Sequence, residues 1–94
     1  MHVELYTSAF CAPCTAMRVR MGRAAELVPG LLIEEIDALG ADPRPAAENI
    51  LSTPTLIVRG PGGTETARLS GAAPLPHILA ALATALPEER TLTP

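Results

Sequence analysis

The sequence contains no tryptophan and no lysine, and Tyr6 and Phe10 are its only large aromatic residues. A hydrophobic core must therefore be built mainly from aliphatic side chains and methionine. All seven basic residues are arginine, none of them in a dense run, and the formal net charge is −3. Because a row of phosphates is neutralised by clustered cations, we do not expect nucleic acid as a partner.

Long apolar segments and secretory signals are also missing. No stretch approaches the ~20 apolar residues that span a bilayer, and the chain opens with strand-like residues 2–6 instead of a charged and then apolar leader. We therefore expect a cytoplasmic protein that binds no membrane. A chain of 94 residues is expected to close a single core. We place this core in one domain over residues 1–86 of a monomer, with residues 87–94 as a flexible tail.

The hydrophobic pattern predicts an α/β fold with seven elements in the order βαβαββα. Strands are expected at residues 3–6, 31–36, 55–58 and 64–69, and helices at residues 13–28, 43–49 and 75–86. Asp42 is the expected N-cap of the second helix, and Pro87 ends the third. A proline and three glycines at residues 60–63 predict a turn that joins the last two strands as a hairpin.

Two cysteines lie three residues apart in the motif Cys11-Ala12-Pro13-Cys14, where the first helix begins. At this spacing on a helical turn the Cα atoms come near the ~5.5 Å separation that a disulfide prefers, so the pair can open and close in place. The free N–H groups and the partial positive charge of a helix N-terminus stabilise a thiolate. The outer Cys11 is therefore the expected nucleophile, and Cys14, one turn further in, is the expected resolving thiol.

Paired cysteines also occur in metal sites. A module that binds or transfers a soft ion such as copper, zinc or mercury is one alternative function. A structural zinc site needs about four ligands, and the chain offers only His2 and His77 as histidines besides the two cysteines. We therefore predict no metal, and no cofactor beyond the cysteine pair itself. A redox-inactive adaptor is the second alternative.

Thr53-Pro54 stands directly before a predicted strand, where a proline would otherwise disrupt pairing. From these residues alone a cis and a trans peptide bond are about equally open. A strand, a CxxC motif at a helix start and a Thr-Pro pair before the third strand together resemble the thioredoxin superfamily over residues 2–86. The short chain is most similar to the minimal, glutaredoxin-like thioredoxins. This resemblance implies a mixed four-stranded sheet flanked by helices.

The resemblance also implies roles for residues outside the cysteine pair. The Thr53–Pro54 peptide bond would be cis, and the backbone of Thr53 would pair with a bound substrate segment. Gly71 would border the same groove. The active-site loop around the cysteines would consist of Phe10, Ala12 and Pro13, with Phe10 in place of the tryptophan usual in thioredoxins.

Two departures from the thioredoxin pattern bear on function. The buried Asp and the Lys that manage protons in typical thioredoxins correspond by spacing to Leu5 and Ile33. Glu4 is expected on the opposite face of the strand from Leu5, and Glu34 and Glu35 cannot be ranked as substitutes. The residues with which glutaredoxins bind glutathione are absent. We therefore predict a dithiol reductase of disulfides in client proteins, re-reduced by a reductase or thiol donor that the sequence does not identify.

Overall fold

The computed structural model describes residues 1–86, and the predicted tail at residues 87–94 lies outside them. Seven helices and strands follow in the predicted order: β1 (His2–Thr7), α1 (Ala12–Leu27), β2 (Leu32–Asp37), α2 (Arg44–Ala47), β3 (Thr55–Arg59), β4 (Glu65–Ser70) and α3 (Leu75–Ala83). A 3-10 turn at Pro61–Gly63 joins β3 to β4. Within residues 1–86, no helix is long and apolar enough to cross a bilayer.

The four strands form one mixed sheet in the order β2-β1-β3-β4. β1 runs parallel to β2 and antiparallel to β3, and β4 is antiparallel to β3. The crossover through α1 allows the parallel pair, whereas the short turn after β3 allows only an antiparallel one. β1 is thus an inner strand, and its carboxyl end at Thr7 leads into the segment that carries the cysteines. The predicted α/β fold with a mixed four-stranded sheet is confirmed.

The side chains of the sheet divide between two faces, because successive residues of a strand point to opposite sides. One face packs against α1 and α3. The buried core on this face includes Val3, Leu5, Met17, Met21, Leu56, Val58, Ile78 and Leu82. The other face holds a smaller cluster of Tyr6, Ile36 and Ile57, with Ile50 packed against it. The core is therefore aliphatic and methionine-rich, as the composition requires, with Tyr6 as an aromatic member.

The second helix is shorter than predicted. We expected it to run to Asn49, but α2 spans only Arg44–Ala47. Asn49 adopts a left-handed conformation with a φ of 57°, and the amide of Ile50 donates to the Pro45 carbonyl at 2.9 Å, which closes the helix. The expected N-cap, Asp42, accepts the first amide of the helix at 2.9 Å, although it lies one position outside the observed cap.

The third helix also ends earlier than predicted. α3 ends at Ala83 rather than Leu86. The next three amides donate to carbonyls only three residues back, at 3.1 to 3.2 Å. This tighter winding is common in the last turn of a helix. Ile78 and Leu82 are buried within the observed helix, whereas Leu86, which the predicted helix included, is exposed.

Candidate active site

The two cysteines lie at the N-terminus of α1, after the short segment that follows β1. Cys11 has extended backbone angles and is the N-cap of α1, and Pro13 occupies the first turn, where its missing N–H costs no helical hydrogen bond. Cys11 and Cys14 are joined in a disulfide with their Cα atoms 5.2 Å apart. The helix start therefore places the cysteines at the separation that the sequence predicts.

The environments of the two sulfur atoms differ. Cys14 is fully buried, whereas Cys11 is partly exposed and the neighbouring Ala12 and Pro13 are exposed. The backbone amide of Cys14 donates to Cys11 Sγ at 3.1 Å. An amide of the first helical turn thus points at the outer sulfur, and the same amide would favour its thiolate.

The loop before β3 lies against Cys11. The Thr53–Pro54 peptide bond is cis, as the resemblance implies. The Thr53 carbonyl oxygen lies 3.9 Å from Cys11 Sγ, and Thr53 Oγ1 donates to the same sulfur at 3.8 Å. Ser8 Oγ lies 2.7 Å from Thr53 Oγ1. The residue predicted to bind substrate is therefore in direct contact with the predicted nucleophile, and Ser8 is a neighbour that the sequence did not single out.

Gly71 is tied to the same loop. Its amide donates to the Pro54 carbonyl at 2.8 Å, and its φ of 81° is one that glycine adopts readily and other residues rarely do. The segment after Gly71 is held by α1, because Met17 Sδ accepts the amide of Ala73 at 3.3 Å and Arg20 donates to the Ala73 carbonyl at 3.0 Å. The structure thus brings Thr53, Pro54 and Gly71 together, and it adds two contacts from α1 that the sequence did not reveal.

Large apolar side chains are exposed next to Cys11 and in a groove beside Thr53. Phe10 is fully exposed next to Cys11. Leu39 is 81% exposed and Leu51 is 92% exposed, and both line a groove of about 270 Å³ that also includes Ser8 and Thr53. Large exposed apolar groups that cluster beside a reactive centre are typical of surfaces that contact other proteins.

The glutamates of β1 and β2 are divided between the two faces of the sheet. Glu4 is buried on the face away from α1, as predicted, and accepts hydrogen bonds from the Tyr6 hydroxyl at 2.9 Å and from Arg59 at 3.0 Å. Glu35 faces α1 and accepts from Arg18 and from the Thr7 hydroxyl, each at 2.8 Å. The sequence could not rank Glu34 and Glu35. The structure places them on opposite faces of the sheet, with Glu35 on the face that packs against α1.

Tyr6 and Asp42, which both lie away from the cysteines, are among the groups whose pKa departs clearly from its ordinary value. Burial, together with the hydrogen bond to Glu4, raises the pKa of Tyr6 to about 12. Hydrogen bonds from Arg44 lower the pKa of Asp42 to about 2. Both groups belong to the ion-paired face of the sheet opposite α1, so they bear on stability rather than on the cysteine chemistry.

Among residues 1–86, the one cluster of three potential metal ligands is His2, Glu4 and Glu34. It does not include the cysteines. Arg59 lies 3.0 Å from Glu4 and Arg44 lies 2.8 Å from Glu34, so both carboxylates already have cationic partners. We interpret this cluster as part of an ion-pair network and assign no metal to it.

No protein-family model matches the sequence, and neither does any curated protein sequence. Solved structures do match. The fold is that of the thioredoxins, and the cysteine pair lies at the start of its first helix.

Thioredoxin 1 of the bacterium Thermosipho africanus superposes with a TM-score of 0.76 at 23% identity, over 98% of this chain and 94% of that one. Fasciola hepatica thioredoxin has a TM-score of 0.74 at 20% identity, over 90% and 80% of the two chains. Oxidised mitochondrial thioredoxin 3 of Saccharomyces cerevisiae has a TM-score of 0.74 at 18% identity, over 85% and 74%. These likenesses show the fold.

Proposed function

We propose that the protein is a dithiol reductase of protein disulfides, with Cys11 as the nucleophile and Cys14 as the resolving thiol. The observation that carries the proposal is the asymmetry of the pair. Cys11 is partly exposed and touches the loop that would hold a client, whereas Cys14 is buried one helical turn further in. A client disulfide can therefore reach one sulfur and not the other.

The exchange proceeds in two balanced steps. The Cys11 thiolate attacks one sulfur of the client disulfide, a mixed disulfide forms, and the client's other sulfur leaves as a thiolate that takes up a proton. Cys14 then loses its proton to solvent and its thiolate attacks Cys11 Sγ, which forms the Cys11–Cys14 disulfide and releases the second client sulfur as a thiolate that takes up a proton. Two electrons pass to the client, and a separate reductase or thiol donor must return two to the cysteine pair.

The surroundings of Cys11 support a protein as the client. The Thr53 backbone lies beside the sulfur, where an extended segment could pair with it. Phe10, the neighbour of Cys11 in the chain, and Leu39 and Leu51, which line the groove beside Thr53, are exposed and offer apolar contact. A small hydrophilic disulfide would use little of this surface.

Reduction of insulin with dithiothreitol as electron donor tests the proposal. We expect the protein to accelerate the reaction and Cys11→Ser to abolish the acceleration, because the attacking thiolate is lost. Val19→Ser, an exposed substitution on α1 five residues beyond Cys14, is the control and should leave the rate unchanged. No acceleration, or acceleration that survives Cys11→Ser, contradicts the proposal.

Two measurements distinguish the alternatives. Stoichiometric copper, zinc or mercury in protein purified under reducing conditions would favour a metal-binding module. A pKa of Cys11 near ~8.5, the value of a free cysteine, would favour a redox-inactive adaptor.

A further inference from the structure

We propose that Ser8 is a positioning residue for the nucleophile and acts on Cys11 through the hydroxyl of Thr53. This inference rests on the proposed function, because it takes Cys11 as the attacking thiol. Three atoms carry it: Ser8 Oγ lies 2.7 Å from Thr53 Oγ1, which lies 3.8 Å from Cys11 Sγ.

The register of the sheet brings these residues together. β1 and β3 are antiparallel, and their last backbone partners at this end are Tyr6 and Thr55. Two residues further along, the same register places Ser8 opposite Thr53. Pro54 has no amide with which to continue the ladder, so a bond between two side-chain hydroxyls joins the strands at this point.

The number of available protons sets the direction of the hydrogen bonds that run from Ser8 through Thr53 to Cys11. Each hydroxyl has one proton to donate and can also accept, whereas a thiolate only accepts. When Cys11 is ionised, the arrangement with most hydrogen bonds has Ser8 donating to Thr53 and Thr53 donating to Cys11. Ser8 therefore donates to the oxygen of the Thr53 hydroxyl, and the proton of that hydroxyl remains free to be donated to Cys11 Sγ.

The thiolate of Cys11 thus has two donors, one from the backbone and one from a side chain. The Cys14 amide at 3.1 Å is fixed by the helix, but the Thr53 hydroxyl can rotate unless Ser8 holds it. A hydrogen bond to the charged form of a group lowers the pKa of an acid. Loss of Ser8 is therefore expected to raise the pKa of Cys11 by roughly half a unit.

The test measures the pKa of Cys11 from the pH dependence of its alkylation by iodoacetamide, in a Cys14→Ser background with a single thiol. We expect Ser8→Ala to raise this pKa and Ser8→Thr, which keeps a hydroxyl, to leave it unchanged. Thr53→Val should raise it at least as much. Thr64→Ala, which removes a hydroxyl at the far end of the sheet, is the matched control.

The double variant decides whether Ser8 acts through Thr53. Ser8→Ala should add no further shift in the Thr53→Val background but should still raise the pKa in a Thr53→Ser background. An unchanged pKa in Ser8→Ala, or an equal shift with and without the Thr53 hydroxyl, overturns the inference. Alkylation needs no client, so failure here is distinguishable from absence of insulin reduction.

Discussion

Cys11 and Cys14 occupy one helical turn but have different surroundings, and this difference assigns their proposed roles. Cys11 is partly exposed and lies against Thr53, whereas Cys14 is fully buried. The attacking thiol has to be reached by a disulfide in another molecule, while the resolving thiol works only on its neighbour. Burial of Cys14 is therefore what the second step of the proposed exchange requires.

Phe10 combines a fully exposed side chain with a backbone φ of 56°. A residue held in this left-handed region costs about 1–3 kcal/mol, whereas glycine adopts it readily. We predict that Phe10→Gly raises the free energy of unfolding by about 1 kcal/mol, after the added entropy of the unfolded glycine is subtracted. It should also raise the KM for insulin, because the ring is lost. Urea unfolding and steady-state kinetics measure the two effects.

Phe10→Ala is the matched control for this prediction. It removes the ring but keeps a side chain in the left-handed region, so the KM should rise without a gain in stability. Equal stability of the glycine and alanine variants would show that the backbone at this position is not strained.

The buried hydroxyl of Tyr6 predicts a loss of stability at high pH. Its folded pKa of about 12 lies above the ordinary value of 10. The unfolded chain therefore loses the phenolic proton at a lower pH than the folded protein does. The contribution of the Tyr6 hydroxyl to the free energy of unfolding is complete below pH 10 and is lost as pH rises towards 12. Tyr6 is the only tyrosine and there is no tryptophan, so phenolate absorbance follows the titration directly.

We expect a titration midpoint near pH 12 in the folded protein. Tyr6→Phe should remove the corresponding decline in stability between pH 10 and 12. A midpoint near 10 in folded protein would contradict a buried hydroxyl that is hydrogen-bonded to Glu4.

At the scale of elements, the site is assembled by the pairing of β1 with β3. This pairing sets the cysteine segment after β1 against the loop before β3, although 42 residues separate Cys11 from Thr53. The sequence resemblance supplied Thr53, Pro54 and Gly71 as site residues. It did not supply Ser8 or Met17, because their contacts depend on strand register and helix packing rather than on a local pattern.

The loops after β2 and before β3 carry the two exposed leucines beside the site. We predict that Leu39→Ser and Leu51→Ser each raise the KM for insulin about fivefold, which corresponds to a loss of about 1 kcal/mol of apolar contact. The turnover number should change little, because neither side chain touches the sulfur atoms. Insulin titrations at fixed dithiothreitol give both parameters.

Val19→Ser is again the control, since Val19 is 71% exposed on α1. Equal KM values for the control and both leucine variants would show that the groove does not bind the client.

At the scale of the whole molecule, the two faces of the sheet differ in chemistry. The face with α1 and α3 carries the core and the cysteine pair, and the other face carries ion pairs around Glu4 and Arg59. The order of the elements was predictable from hydrophobic periodicity, and the Cα separation of the cysteines from their motif at a helix start, whereas the mixed sheet was implied by the resemblance. The ends of α2 and α3 were not predictable, because closing hydrogen bonds such as that from Ile50 to Pro45 decide them.

The comparison with solved structures shows a similar backbone and a different sequence. The structural matches reported above share at most 23% of aligned residues with this chain, yet they superpose over most of its length. The fold is therefore shared, although most of the aligned side chains differ.

Trapping of the mixed disulfide tests most directly whether Cys11 attacks and Cys14 resolves. Reduced Cys14→Ser and Cys11→Ser proteins are mixed with insulin, quenched in acid and analysed by mass spectrometry without reductant. We predict that Cys14→Ser accumulates a covalent complex through Cys11 that dithiothreitol releases, and that Cys11→Ser forms almost none. A complex of equal yield through Cys14, or none through Cys11, would contradict the proposed function.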